Sequence, residues 1–399
     1  ALRAVLELLF ELESLFACDS LDVEYAFIEG TPIAYLLQVR RLMGQAPEFT
    51  VDEHKNLLSA IAEKIDRVNR PLPYLFGDRT VFGVMPDWNP AEIIGIRPRP
   101  LALSLYRELV TDLIWAYQRH NYGYKNLRSF PLVIDFHGLP YIDVRVSFNS
   151  FLPADIDDSL SEKLLNFYIR SLSDQQSLHD KIEFEIILSC FSFDIDHRLA
   201  KLREAGFSSS ECDQISDSLR RLTNRIIHRE TGLWQNDMKK VDELEHRRVN
   251  INASDMDAVS KIYWHLENCK RYGTLPFAGL ARAGFIAIQM LKSLETAGIL
   301  NVNAISSFMS GLETVSTAMD YDFETMDRTS FLKKYGHLRP GTYDILSPRY
   351  DAAPDQYFKW GDKNRSSDRQ AKTPGFSLSL AQIRAVADQL RDHGLDNDV

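Results

Sequence analysis

Cysteine is scarce. The 399-residue chain has four, Cys18, Cys190, Cys212 and Cys269. They stand far apart, form no CxxC pair and have no histidine at metal-ligand spacing, which argues against a disulfide scaffold or a zinc module. They read as buried or incidental reduced thiols of a cytoplasmic protein. No run approaches the roughly 18 apolar residues of a membrane-spanning helix. Positive charge does not prevail either: the formal net charge is −10, and Lys and Arg are scattered rather than gathered into a stripe. Neither nucleic acid nor a membrane is therefore expected as a partner. There is no P-loop, no GxGxxG and no nucleophile-elbow serine, and no internal repeat.

What is present begins with ALRAVLELLFELESLF. Glu7, Glu11 and Glu13 interrupt its apolar character, so it is an amphipathic helix rather than a signal peptide. The first residue is not methionine. The chain is expected to be a segment of a longer polypeptide.

Residues 21–40 carry the strongest local pattern. Val23, Tyr25 and Phe27 alternate with Asp22, Glu24 and Ala26, residues 33–40 alternate again, and Gly30 and Pro32 lie between the runs. This is a β-hairpin signal. An odd-numbered loop sets Glu24 across from Gln38 with both side chains on one face; an even one separates them. On the odd register a carboxylate, an amide and the Arg40 guanidinium line one side of a ribbon. Such a carboxylate can hold Mg²⁺ and such an arginine can fork onto phosphate.

Residues 50–70 form a helix with Thr50 as N-cap and Glu53 completing a capping box, stopped by Pro71 and Pro73. Residues 101–119 read as a helix. Residues 131–136 and 140–148 read as two strands joined by a tight turn at 137–138. From 153 to 335 helix follows helix, with a break near 273–276 and a core stripe of Met309, Leu312, Val315 and Met319. Residues 359–375 read as an exposed linker and 379–392 as a last helix.

Three irregular stretches could carry chemistry. In DWNPAEIIGIRPRP, Arg97 and Arg99 are each flanked by proline and held extended, suiting an anion-binding edge or a solvated loop. In the β-insert, Tyr141, Asp143, Arg145, Ser147 and Asn149 share an alternating polar face, either solvated or walling a cleft. In YGHLRPGTYDILSPR, His337, Arg339, Tyr343 and Arg349 crowd a compact loop where a histidine could act as general acid or base.

DVEYAF…YLLQVR resembles the last hairpin of the ATP-grasp domain in the phosphoenolpyruvate-utilising family of phosphoenolpyruvate synthase, pyruvate phosphate dikinase and rifampin phosphotransferase. That family ends the domain on D-x-E-x…Q-x-R-P; here Arg41 replaces the proline. The three irregular stretches occur in the order seen in that family, and the likeness spans nearly all of 1–365. YGHLRPGTYD stands where rifampin phosphotransferase has a YGHRGPGE-type loop, so a rifamycin substrate is not implied. The resemblance implies Glu24 at a metal, and Gln38 and Arg40 at ATP. It makes His337 and Arg339 catalytic candidates, and Arg97, Arg99, Arg145, Tyr343 and Arg349 candidates for binding a phosphate acceptor. ATP and Mg²⁺ are the implied cofactors. The nucleotide-binding body and the swivelling phosphohistidine domain, with its T/S-x-H-x-A motif, have no counterpart here and would be partners in the same polypeptide.

The expectation is a predominantly α protein with small β parts (α+β). Residues 1–45 would end an ATP-grasp domain, 46–76 connect, 77–360 form a helical substrate domain with a β-insert at 131–148, and 361–399 make a linker and terminal helix. The expected activity is phosphate transfer from ATP through a phosphohistidine to a small, pyruvate-like or larger acceptor. The alternative is a non-catalytic helical binding module.

Overall fold

A computed structural model describes residues 2–18, 20–28, 31, 33–41, 50–312, 314–340, 346–360 and 377–395. The fold is mostly helical with two small antiparallel sheets, the α+β class expected.

Helix α1 (Leu2–Phe16) leads into a ribbon of β1 (Leu21–Phe27) and β2 (Ala34–Arg41). At its tip Phe27 pairs with Ala34 across the even-numbered connection 28–33, a register that would oppose Glu24 to Leu37. A bulge absorbs Leu37 and shifts the pairing, so Glu24 faces Gln38 and Asp22 faces Arg40. The expected pairing is reached through a bulge, not an odd loop. Helix α2 (Val51–Val68) starts on the expected capping box: the Thr50 hydroxyl accepts from the Glu53 amide at 3.2 Å, and the Glu53 carboxylate accepts from the Thr50 amide at 2.8 Å.

Short elements follow: β3 (Phe82–Gly83), α3 (Pro90–Ile93), α4 (Pro100–Tyr106) and α5 (Ile114–Tyr122). The single helix expected over 101–119 is interrupted, because Arg107–Thr111 widens into a π-turn and Leu113 leaves helical geometry at φ −145°. The Thr111 carbonyl accepts instead from the Leu132 amide at 2.9 Å, joining this kink to the sheet.

That sheet has the order β3-β5-β4, with β4 (Val133–Phe136) and β5 (Leu139–Asp143) turning at His137 and Gly138. Both turn residues have positive φ, +51° and +84°, as a tight primed turn requires. The strand expected to run to 148 stops at Asp143. The Asp143 carboxylate caps α6 (Val144–Asn149) by accepting from the Val146 amide at 3.2 Å. The alternation of β-branched valines suggests a strand, but the cap and full burial on all sides select a helix.

The helices α7 (Asp158–Asp174), α8 (Ile182–Glu185), α9 (Ile195–Glu204) and α10 (Ser209–Ile227) enclose the main core with α6, through Phe148, Leu164, Tyr168, Ile187, Phe191 and Leu219. Helix α11 (Leu233–Ala253) packs on α12 (Ala258–Asn268) and on α13 (Leu275–Thr296). The expected break near 273–276 is instead a π-turn, Cys269–Thr274, that keeps the run helical; Pro276, which has no N–H to donate, follows directly on this widened turn. By length and composition the stretch Ala258–Thr296 could cross a membrane, which the sequence reading overlooked. Its α13 nevertheless turns Arg282, Gln289 and Ser293 inward.

Helices α14 (Val302–Ser310) and α15 (Val315–Thr325) divide the expected Met309–Met319 stripe, and Met309, Leu312 and Val315 are exposed. A stripe needs one continuous helix to share a face, and here the chain breaks at 311–314. Phe323 of α15, Phe331 of α16 (Arg328–Tyr335), and Tyr350, Phe358 and Trp360 from the segments flanking α17 (Pro354–Tyr357) form an aromatic cluster. The final helix is α18 (Leu380–Asp392). Of the linker expected at 359–375, residues 361–375 lie outside the described residues.

Candidate functional site

Two neighbouring recesses flank the segment 85–99. The first, about 390 Å³, is lined by Asp22, Glu24 and Arg40 from the ribbon and by Glu92, Ile94, Gly95, Arg97 and Arg99 from α3 and the loop after it. The bulge puts Asp22, Glu24, Gln38 and Arg40 on one ribbon face. Arg40 Nη1 lies 3.4 Å from Glu24 Oε1 and 3.7 Å from Asp22 Oδ2. Across from this face, Asn89 caps α3 and Gly95, at φ +83°, turns the chain so that residues 96–99 run along the rim. Arg97 and Arg99 are exposed there.

The chemistry of this donor set suits a polyphosphate and a divalent cation. Three guanidinium groups can take phosphate oxygens, and two carboxylates are the usual protein share of a Mg²⁺ shell. Gln38 sits opposite Glu24 without lining the recess. Among the described residues no group of three or more His, Cys, Asp or Glu could hold a metal unaided.

The second recess, about 540 Å³, is a cleft between the 85–93 segment, α5, α8 and α13. Arg119 of α5 forks onto Asp87, Nη1–Oδ2 2.7 Å and Nη2–Oδ1 2.8 Å, and the Ser147 hydroxyl donates to Asp87 Oδ2 at 2.7 Å. Arg282 of α13 pairs with Glu183 of α8. Both guanidinium groups lie over the Phe151 ring, at 3.9 and 4.8 Å from its centroid. Burial, the largest single influence, works against the charge of Arg282, but Glu183, Tyr124 and Asp87 together outweigh it, so its pKa is raised and it stays protonated. Trp88 and Phe277 form a wall, their ring centres 6.3 Å apart. Two buried donors are without partners: Gln118 Nε2 and Arg282 Nε. Their side chains are 3% and 4% exposed.

Nearby, Gly279 of α13 allows the Tyr122 hydroxyl to reach Asp237 Oδ2 at 2.8 Å; a Cβ there would stand 2.0 Å from that oxygen. The bond holds α5, α11 and α13 at one spacing. It also raises the Tyr122 pKa, after burial, the larger cause.

The remaining sequence-derived positions lie elsewhere. Arg145 lines no cleft. It is wholly buried, and its guanidinium donates to the carbonyls of Val68 at 2.8 Å, Arg70 at 3.1 Å and Gly77 at 3.2 Å, fastening the end of α2 to α6. Its companions are also structural: Asp143 accepts from the Thr80 hydroxyl at 2.6 Å, and Asn149 exchanges hydrogen bonds with the backbone of Phe76. The polar face expected to be solvated or to wall a cleft is an internal clasp. His337 and Arg339 are exposed just past α16, with His337 near Glu245 of α11. Arg349 is spent on Asp351, Nε–Oδ1 3.0 Å. None of the three lines either recess. Tyr343 lies outside the described residues.

The sequence reading missed the second cleft. Its faint signals were Gln118 and Arg119 following the apolar IWAY of α5, and Arg282 and Gln289 seven residues apart on the apolar α13. No family model, curated protein or solved structure matches this chain.

Proposed function

We propose that the chain is the central part of a dikinase-like phosphotransferase. Phosphate from ATP would pass through a phosphohistidine, on a swivelling domain outside these residues, to a small acceptor. The observation that supports this reading is the first recess: the acidic, arginine-bearing face of the ribbon and the Arg97–Arg99 rim close on the same space. Transfer of this kind is largely positioning and neutralisation of phosphate oxygens. Arg40, Arg97 and Arg99 would bind phosphate oxygens, while Asp22 and Glu24 would hold Mg²⁺, which supplies charge neutralisation when bound. A competing reading, a non-catalytic helical binding module, draws on Arg339 and Arg349 standing apart from that recess.

The test uses the protein in its full reading frame, incubated with labelled ATP and Mg²⁺. Acid-labile phosphohistidine should form, and Glu24→Gln should lower it at least tenfold with the fold unchanged by circular dichroism. Normal labelling in that variant would remove the nucleotide role of the ribbon. No labelling of the wild-type protein would favour the binding module.

A further inference from the structure

We infer that the cleft between Asp87 and Arg282 binds an uncharged, hydroxyl-bearing ring compound, of monosaccharide to nucleoside size. Four observations converge on that class. First, the two arginines are already neutralised: Arg119 is forked onto Asp87 and Arg282 is paired with Glu183. A carboxylate or phosphate entering the cleft would have to compete with those acids, and Asp180 and Glu92 at the margin add further negative charge. A cation would find Asp87 and Glu183 already held by guanidinium groups that it cannot displace, and only the acids at the margin open to it. An uncharged guest faces neither penalty.

Second, two donors remain unspent in the wall. Gln118 Nε2 and Arg282 Nε are buried without partners, a costly condition that an oxygen acceptor relieves. Third, the carboxylates of Asp180 and Glu92 supply acceptors at the margin. A group facing both kinds of partner must accept and donate, which is the property of a hydroxyl. Fourth, Trp88 and Phe277 offer flat apolar surface on which the face of a ring packs. The volume, about 540 Å³, lies in the range of small-molecule sites.

The cleft shares Met85 and Glu92 with the first recess. A guest hydroxyl could thus serve as the phosphate acceptor, a role that rests on the phosphotransferase reading; binding itself does not.

The experiment is ligand-observed NMR followed by calorimetry on the 399-residue protein. The probes are methyl glycosides and ribonucleosides on one side, benzoate and phenyl phosphate on the other. At least one neutral hydroxylated ring should bind, and Gln118→Leu should weaken it about tenfold, the loss of one buried donor to a ligand oxygen. That variant removes an unpartnered polar group, so its fold should hold; Arg282→Lys, with its pairing charge kept, should weaken binding likewise. Preference for the anions, binding indifferent to Gln118→Leu, or no binding by any neutral probe would overturn the inference. Loss of phosphohistidine in Glu24→Gln reports on the other recess, so either reading can fail while the other stands.

Discussion

Arg119 grips Asp87 through two parallel hydrogen bonds, 2.7 and 2.8 Å long, with both side chains withdrawn from solvent. The pair joins α5 to the 85–93 segment, and so sets the floor of the cleft before any ligand arrives.

Breaking one side of this pair leaves a buried charge alone. Arg119→Met should destabilise the protein by about 3–5 kcal/mol. Adding Asp87→Asn should recover part of that loss, with a coupling energy of about 1–3 kcal/mol. Urea denaturation of the two single variants and the double variant measures it. Strict additivity would mean that the two side chains do not act as a unit.

Arg145 serves three backbone carbonyls and no ligand. Arg145→Met leaves the carbonyls of Val68, Arg70 and Gly77 short of a donor; the buried Gly77 acceptor costs about 1–3 kcal/mol, and the other two, nearer to solvent, cost less. Amide exchange should quicken at the end of α2 and around residues 76–80. Arg145→Lys should restore only part of the protection, since an ammonium cannot reproduce the planar fork. Unchanged exchange in the methionine variant would argue that the clasp does not hold α2.

Acid should loosen the start of α10. Hydrogen bonds from Lys163, then from the Ser208 amide, hold the Glu211 carboxyl down at about 2, against an ordinary value of 4.5. A lowered carboxyl pKa favours folding above the unfolded value, and the benefit fades as pH falls from about 4.5 toward 2. Thermal melts of the wild-type protein and Glu211→Gln should differ at pH 7, draw together as pH falls below about 4.5 and converge only near pH 2. A gap that is undiminished between pH 7 and pH 2 would assign the effect to something other than this ionisation.

Local signals carried well from sequence to structure. Thr50 and Glu53 are three residues apart and formed their capping box; the turn at 137–138 and the facing of Glu24 and Gln38 also appeared. Where the reading failed, distant partners decided. Residues 143–149 alternate like a strand, yet Asp143 caps a helix because Thr80, Phe76 and Asp87, all far along the chain, satisfy its polar side chains. The pairs Asp87–Arg119 and Glu183–Arg282 span 32 and 99 positions, and no spacing rule connects residues so remote. Arginine-rich loops display their charge openly in the sequence, while the arginines that line the cleft are buried within helices whose pattern is ordinary.

Met85 and Glu92 front both recesses, so the 85–99 stretch is a party wall between two rooms. A guest that displaced it from one side would alter the space offered on the other. By thermodynamic reciprocity that influence would run equally in the opposite direction, and each chamber would then gauge whether its neighbour is filled.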